Sequence, residues 1–191
     1  MRKDARRRSL LDAAVRLFSR YGYHGATVPM IVAEANSSVG CFYTYFRNKE
    51  DVLASILETF GEKIDEAIRE ARESQSDPWL LMKSALEAGC LYLAENPPEA
   101  RILIVESSGL SHRLEQVRRS IVLQQANECC KTLLANPKVF STDHPVITAR
   151  CLVGSVIETI CRWLEENPKD RMSAAEVARA VVDFNSRALS R

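Results

Sequence analysis

Residues 27–53 read TVPMIVAEANSSVGCFYTYFRNKEDVL, and this stretch decides how the remainder of the chain is understood. Val28, Ile31, Val32 and Ala35 recur at i, i+3, i+4 and i+7, which predicts one apolar stripe on a short helix. Thr27 stands just ahead of that stripe, where a hydroxyl accepts from free backbone N–H groups and starts the helix. Pro29 falls in the first turn, where its missing N–H has no intrahelical acceptor to lose. Asn36 follows, a residue that tolerates the left-handed backbone of a sharp helix exit. Ser37 and Ser38 then supply the cap for a second short helix, with Phe42 and Phe46 at i, i+4 as its inward face. Two short helices joined by about four residues make a helix-turn-helix.

The outward face of the second helix decides what the pair is for. Ser38, Cys41 and Tyr45 lie at i, i+3 and i+7, opposite the two phenylalanines, with Val39 and Thr44 at the edges. Hydroxyls dominate and no residue is charged, which suits hydrogen bonding to phosphates and close contact with base edges. The same spacing also fits an ordinary helical hairpin whose polar face meets water.

The ordered set of residues around this stretch resembles the DNA-binding domain of the TetR (TetR/AcrR) family of bacterial transcriptional regulators. The matching phrases are Leu17-Phe18 with Gly22, Thr27, the AEANSS turn, Gly40, Phe42-Tyr43, Phe46, Lys49 and Leu53. Asn36 replaces the usual turn glycine, and Ser37 stands where an apolar valine is usual. The resemblance covers residues 9–53 and implies that Thr27, Ser38, Tyr43, Tyr45 and Lys49 hold backbone phosphates. Val39, Cys41 and Thr44 are the candidates for base edges, and Ser37 and Gly40 complete the expected DNA-facing set.

Composition is that of an ordinary globular chain, with 46% apolar and 27% charged residues. The net charge of +1 conceals a division: residues 1–50 hold nine Lys/Arg against four Asp/Glu, and residues 51–191 hold seventeen against twenty-one. A basic head on an acidic body fits a DNA reader with a separate partner domain. Six cysteines show no CxxC or Cys/His spacing, so neither a metal nor a cofactor is expected. The absence of a signal-like core and of membrane-length apolar runs leads to a cytoplasmic expectation, with no membrane partner.

Residues 2–8, RKDARRR, read as a basic arm laid along phosphates or into the minor groove. Leu10, Leu11, Ala14, Leu17, Phe18 and Tyr21 form the stripe of a first helix, with Gly22 and Gly25 at its exit. Asn48 opens a long helix through Val52, Leu53, Ile56, Leu57, Phe60, Ile64, Ala67 and Ile68 that joins reader to body. Beyond Asp77 the chain is punctuated by Asp77-Pro78, Asn96-Pro97-Pro98, Ser111 and Asn136-Pro137 into further helices, and no segment alternates with period two. The expected fold is all-α, about nine helices: a helix-turn-helix domain over 1–48 and a helical effector-binding and dimerisation domain over 49–191.

Residues 146–164 are apolar nearly all round and so need cover on more than one side. With a final helix opened by the Ser173–Glu176 capping box, they form the expected half of a four-helix homodimer interface. Its expected residues are Val153, Val156, Ile157, Ile160, Val177, Val181 and Phe184. An isologous pair also matches the two-fold symmetry of an operator. Polar residues set among apolar ones, Arg101, Glu106, Gln124 and Glu128, with Trp79, Met82 and Tyr92 as walls, are expected to receive an apolar or amphipathic small molecule.

The function expected is a ligand-responsive, dimeric regulator, a repressor, that binds a palindromic double-stranded operator through residues 38–46 and is not an enzyme. Two alternatives stand beside it. One is a helical interaction module that no longer binds DNA. The other is an all-α enzyme using Cys90 or Cys129 with His112 or His144, for which the sequence offers residue types but no motif.

Overall fold

The computed structural model describes residues 2–189, without the side chains of Arg2 and Lys3. Among the described residues nine α-helices follow one another: α1 (Arg2–Gly25), α2 (Val28–Glu34), α3 (Val39–Tyr45), α4 (Lys49–Glu73), α5 (Pro78–Glu95), α6 (Pro97–Arg101), α7 (His112–Ala135), α8 (Pro145–Glu165) and α9 (Ala174–Leu189). A π-helical segment, Ile102–Glu106, continues α6. No strand occurs among the described residues, and no helix there is long and apolar enough to cross a membrane. The fold is all-α, as the spacing predicts.

Most helices begin where local chemistry says they should. Thr27 Oγ1 accepts from Met30 N (3.4 Å) and Ser38 Oγ from Cys41 N (3.2 Å). Asn48 Oδ1 accepts from Asp51 N, and Asp77 Oδ1 from Leu80 N, both at 2.9 Å. Ser173 and Glu176 satisfy each other's backbone donors at 3.3 and 2.9 Å, the expected capping box. Each such cap is worth about 1 kcal/mol.

The basic N-terminal segment is a finding against expectation. It is not an extended arm; it is the first two turns of α1. The Arg2 and Lys3 side chains lie outside the described residues. At the other end, Gly22 takes a positive φ of 71° and kinks the helix. Tyr21, on the expected stripe, is 48% exposed, and beyond the kink Tyr23 packs against Phe18, with ring centroids 5.7 Å apart.

The chain divides into two compact units, Met1–Phe60 with Pro98–Arg118, and Gly61–Pro97 with Arg119–Arg191. In the first, α1, α2 and α3 close over Leu10, Phe18, Ile31, Phe42 and Leu53, all fully buried. Burying each such side chain contributes roughly 1.5–3 kcal/mol. Ile102, Leu103 and Leu114 are buried too, so the returning segment belongs to the core of this first unit. Ser111 Oγ donates to Glu50 Oε1 (2.9 Å), and Arg113 donates to Asp51.

In the second unit α5 lies against α9 and α8, burying Met82, Leu86, Cys90 and Leu93. Here a second expectation is corrected. Val153, Val156, Ile160, Val177 and Val181, placed on the dimer face by sequence, are buried inside their own subunit. A helix that is apolar all round gives no phase, and the side that α5 covers is set by packing within the unit. The faces of α8 and α9 left outside carry Ile147, Cys151, Gly154, Ala180 and Phe184, with Ile157 half-buried. Phe184 is 66% exposed and borders a hollow of about 290 Å³ lined also by Ser155, Thr159, Ala180 and Val181.

Candidate nucleic-acid interface

The turn between α2 and α3 is made by backbone. Asn36 takes φ 47°, the left-handed conformation its side chain tolerates, and Ser37 N donates to Val32 O at 2.8 Å. The hydroxyl that stands in place of an apolar anchor leaves the turn intact, because these backbone bonds hold it. Phe42 and Phe46 then pin α3 from beneath, their rings 5.6 Å apart and both buried.

The outward face of α3 is rotated from the one the spacing suggests. Val39 (46% exposed), Gly40, Tyr43 (57%) and Thr44 point to solvent, whereas Cys41 and Tyr45 are half-buried on the flank. With only two turns, the helix offers too few positions for periodicity to fix its phase. Gly40 has open space where a side chain would be, so backbone is available there for close approach. Thr44 Oγ1 donates back to Gly40 O (3.1 Å) and keeps its lone pairs outward. Thr27 and Ser38 are exposed at the helix starts, and Ser37 is half-buried in the turn.

Arginines frame this face. The opening turns of α1 bring Arg7 over the Phe46 ring, 5.4 Å from its centroid. Arg6 reaches the flank of α3, where hydrogen bonds from Ser37 first, and then from Arg6, draw the Cys41 thiol below its ordinary range. Ser9 Oγ donates to Ala35 O at the α2–α3 turn (3.4 Å). The basic stretch thus lies beside the recognition helix as helix, a position the sequence did not reveal.

Lys49 is placed differently from expectation. Its ammonium donates to the carbonyls of Tyr23 (2.6 Å) and Ala26 (2.9 Å) and sits 4.2 Å from the Tyr23 ring. These are carbonyls that the kinked end of α1 leaves without helical partners, so the lysine caps α1 from across the unit. Partial burial lowers its pKa. Arg47, which sequence reasoning passed over, is the exposed cation at this junction. Its backbone N (3.1 Å) and Nε (2.7 Å) donate to Asp51 Oδ2, and its Nη2 to Oδ1 (2.9 Å). The signal available was the i, i+4 spacing of Arg47 and Asp51 across a helix start.

The residues expected to line an effector site are divided between the two units. Gln124 and Glu128 share hollows of about 460 and 640 Å³ on α7, the smaller lined also by Asp65, Arg72 and Gln125. Gln124 and Gln125 both donate to Asp65. Burial, opposed by those hydrogen bonds, raises the Asp65 pKa. Trp79 instead stacks on Phe140 (5.8 Å), and Met82 is buried in the core of the second unit. Tyr92 is half-buried on α5, and Arg101 and Glu106 belong to the first unit. The Cys90 and Cys129 thiols are pushed up to about 11 by burial, so neither is a thiolate nucleophile at neutral pH. His112 and His144 are both exposed, and no metal-ligating cluster occurs among the described residues.

Three helices packed over a common core, with a short helix whose hydroxyl-bearing face is exposed and framed by arginines, form a helix-turn-helix unit of the kind that binds DNA. Residues 10–56 match the family described as bacterial regulatory proteins, tetR family. The chain is 26% identical to the HTH-type transcriptional repressor NicS of Pseudomonas putida, a match covering 98% of this chain and 94% of that one. It is 36% identical to HbdR of Aromatoleum sp. over 69 residues, which span 34% of this chain and only 30% of that relative. The crystal structure of FadR from Bacillus subtilis, a complex with stearoyl-CoA, superposes with a TM-score of 0.81 at 20% identity, covering 95% of this chain and 98% of that one. Residues 10–56 thus match the TetR family of bacterial transcriptional regulators, and the likeness to NicS runs through nearly the whole chain.

Proposed function

We propose that this regulator is a cytoplasmic homodimeric repressor that sets two copies of α3 into successive major grooves of a palindromic operator and lets go when a small molecule binds its helical body. The observation that carries the reading is the exposed face of α3, where Val39, Gly40, Tyr43 and Thr44 stand clear of a helix locked beneath by Phe42 and Phe46. Val39 would meet a thymine methyl, while Tyr43, Thr44, Ser38 and Thr27 would hold phosphates. Half-sites would lie about 34–36 Å apart. The reading head is built on residues 1–48 and completed by the start of α4 and the returning segment 98–118, which pack with it; the responsive body is the rest of residues 49–191. The exposed α8–α9 face around Phe184 is the pairing surface. The effector is amphipathic, and its site draws on polar side chains that line the hollows on α7, the exposed Gln124 and the half-buried Glu128 among them. An effector acts only by binding one spacing of the heads more tightly than the other.

The test is electrophoretic retardation of the DNA flanking its own gene, at stated salt and with excess mixed-sequence competitor. Retardation that survives the competitor is the expected result. Its loss at every salt concentration would leave an interaction module that keeps the fold without reading DNA.

A further inference from the structure

We propose that Arg47, aimed by Asp51 and Arg113, is a phosphate-contacting cation of the reading head, in the place that sequence assigns to Lys49. The inference rests on the DNA-binding reading and adds to it a residue and a positioning device. Arg47 follows Phe46, where α3 ends in extended backbone (φ −136°, ψ 133°), and precedes Asn48, the cap of α4. It therefore stands at the seam between the recognition helix and the helix that leaves it. Its side chain is 80% exposed, while that of Asp51, its partner, is only 12% exposed. The carboxylate is thus an internal anchor and the guanidinium an external group held by it.

Donor arithmetic leaves the fork usable. A guanidinium has five N–H donors, and Asp51 takes one from Nε and one from Nη2. The three that remain are enough for bidentate contact with a phosphate, a geometry that suits arginine and not lysine.

Charge arithmetic explains the third member. An isolated Arg–Asp pair is neutral and would attract a polyanion weakly. Arg113, from the start of α7, donates to the same Oδ1 of Asp51. One carboxylate is shared by two guanidiniums, so these three side chains together carry +1, with the Glu50 carboxylate as the opposing charge nearby. Hydrogen bonds from Arg47, and then from Arg113, hold Asp51 well below the usual carboxylate range, so the arrangement persists across neutral pH. Arg7, on the Phe46 ring, adds a second cation near the same end of α3. Lys49, by contrast, has two of its three donors on backbone carbonyls. Arg113 is a positioning residue in this scheme: it frees the charge of Arg47 rather than touching DNA.

The experiment measures the affinity of the full-length protein for a labelled mixed-sequence duplex across a range of salt concentrations, with thermal unfolding of each variant beside it. Arg47→Gln is expected to weaken binding and to lower the slope of log affinity against log salt by about 1, beside a lower Tm because two hydrogen bonds to Asp51 are lost with it. Arg47→Lys is expected to keep the slope and recover only part of the affinity. Arg113→Gln is expected to give a smaller loss of the same sign. Lys49→Gln is expected to lower Tm and leave the slope alone. A wild-type slope in Arg47→Gln, with the wild type itself binding, would overturn the assignment of Arg47 while leaving the DNA reading in place. Failure of the wild type to bind the duplex even at low salt would overturn both.

Discussion

Asp51 accepts hydrogen bonds from the backbone and side chain of Arg47 and from the side chain of Arg113, while its own backbone N–H is capped by Asn48. Such a carboxylate is more stable ionised in the folded protein than in the unfolded chain, and linkage gives the sign. Its folded pKa lies below the unfolded value. The stabilisation is therefore complete above the unfolded pKa, about 4, and is lost as pH falls from there toward the folded value. Asp51→Asn should lower stability at pH 7, and the gap between variant and wild type should narrow on acidification to pH 3. Denaturant unfolding at the two pH values checks this, and an equal gap at both would remove the carboxylate's charge from the account. The same residue illustrates what sequence conveys at this scale. The Asn48–Asp51 helix start is legible because it is local. The claim of Arg113 on Asp51 is not, since sixty-two residues separate the pair.

At the scale of elements, caps and breakers were legible and faces were not. Thr27, Ser38, Asp77 and Ser173 act within three residues of themselves, so their positions name the starts of α2, α3, α5 and α9. The phase of α3 and of α8 depends on what packs against them, and periodicity cannot supply that for a two-turn helix or for one that is apolar all round. The π-helical turn was equally hidden. It rests on Ser107 N reaching back five residues to Ile102 O (3.0 Å), with Ser107 Oγ on Leu103 O (2.8 Å), inside a buried segment. Close approach of elements is the other feature that only the fold shows. A Cβ added at Gly61 on α4 would stand 2.8 Å from Cγ1 of Ile121 on α7, closer than carbon atoms allow. Gly61→Ala should therefore destabilise the protein by about 1–3 kcal/mol despite the better helix propensity of alanine. Ile121→Ala costs on its own, yet in the double variant the methyl has room, so the two losses should sum to less than their parts. A double-mutant cycle measures the coupling, and simple additivity would place the two helices farther apart than described.

For the molecule as a whole, the question is what a single subunit leaves uncovered. The excess of basic residues over 1–50 favours DNA there, but a two-fold operator asks for two heads at a fixed distance. That distance is set where subunits meet, and the proposed surface is the outer face of α8 and α9. Phe184 is the sharpest probe of it. The side chain is exposed, so Phe184→Asp removes little from the subunit's own core and should change its helicity and unfolding by no more than about 0.5 kcal/mol. In an isologous interface the same substitution appears twice, placing two carboxylates in surface that association would dehydrate. The variant should therefore sediment as a single subunit where the wild type sediments as two. Its operator affinity should fall much further than its affinity for a lone half-site, because the second contact is no longer intramolecular. Val156→Asp makes the contrast: Val156 is buried within the subunit, and a carboxylate there should unfold the protein outright rather than split a pair. If Phe184→Asp remains a dimer with undiminished operator binding, the subunits join elsewhere, and the exposed α8–α9 face has some other use.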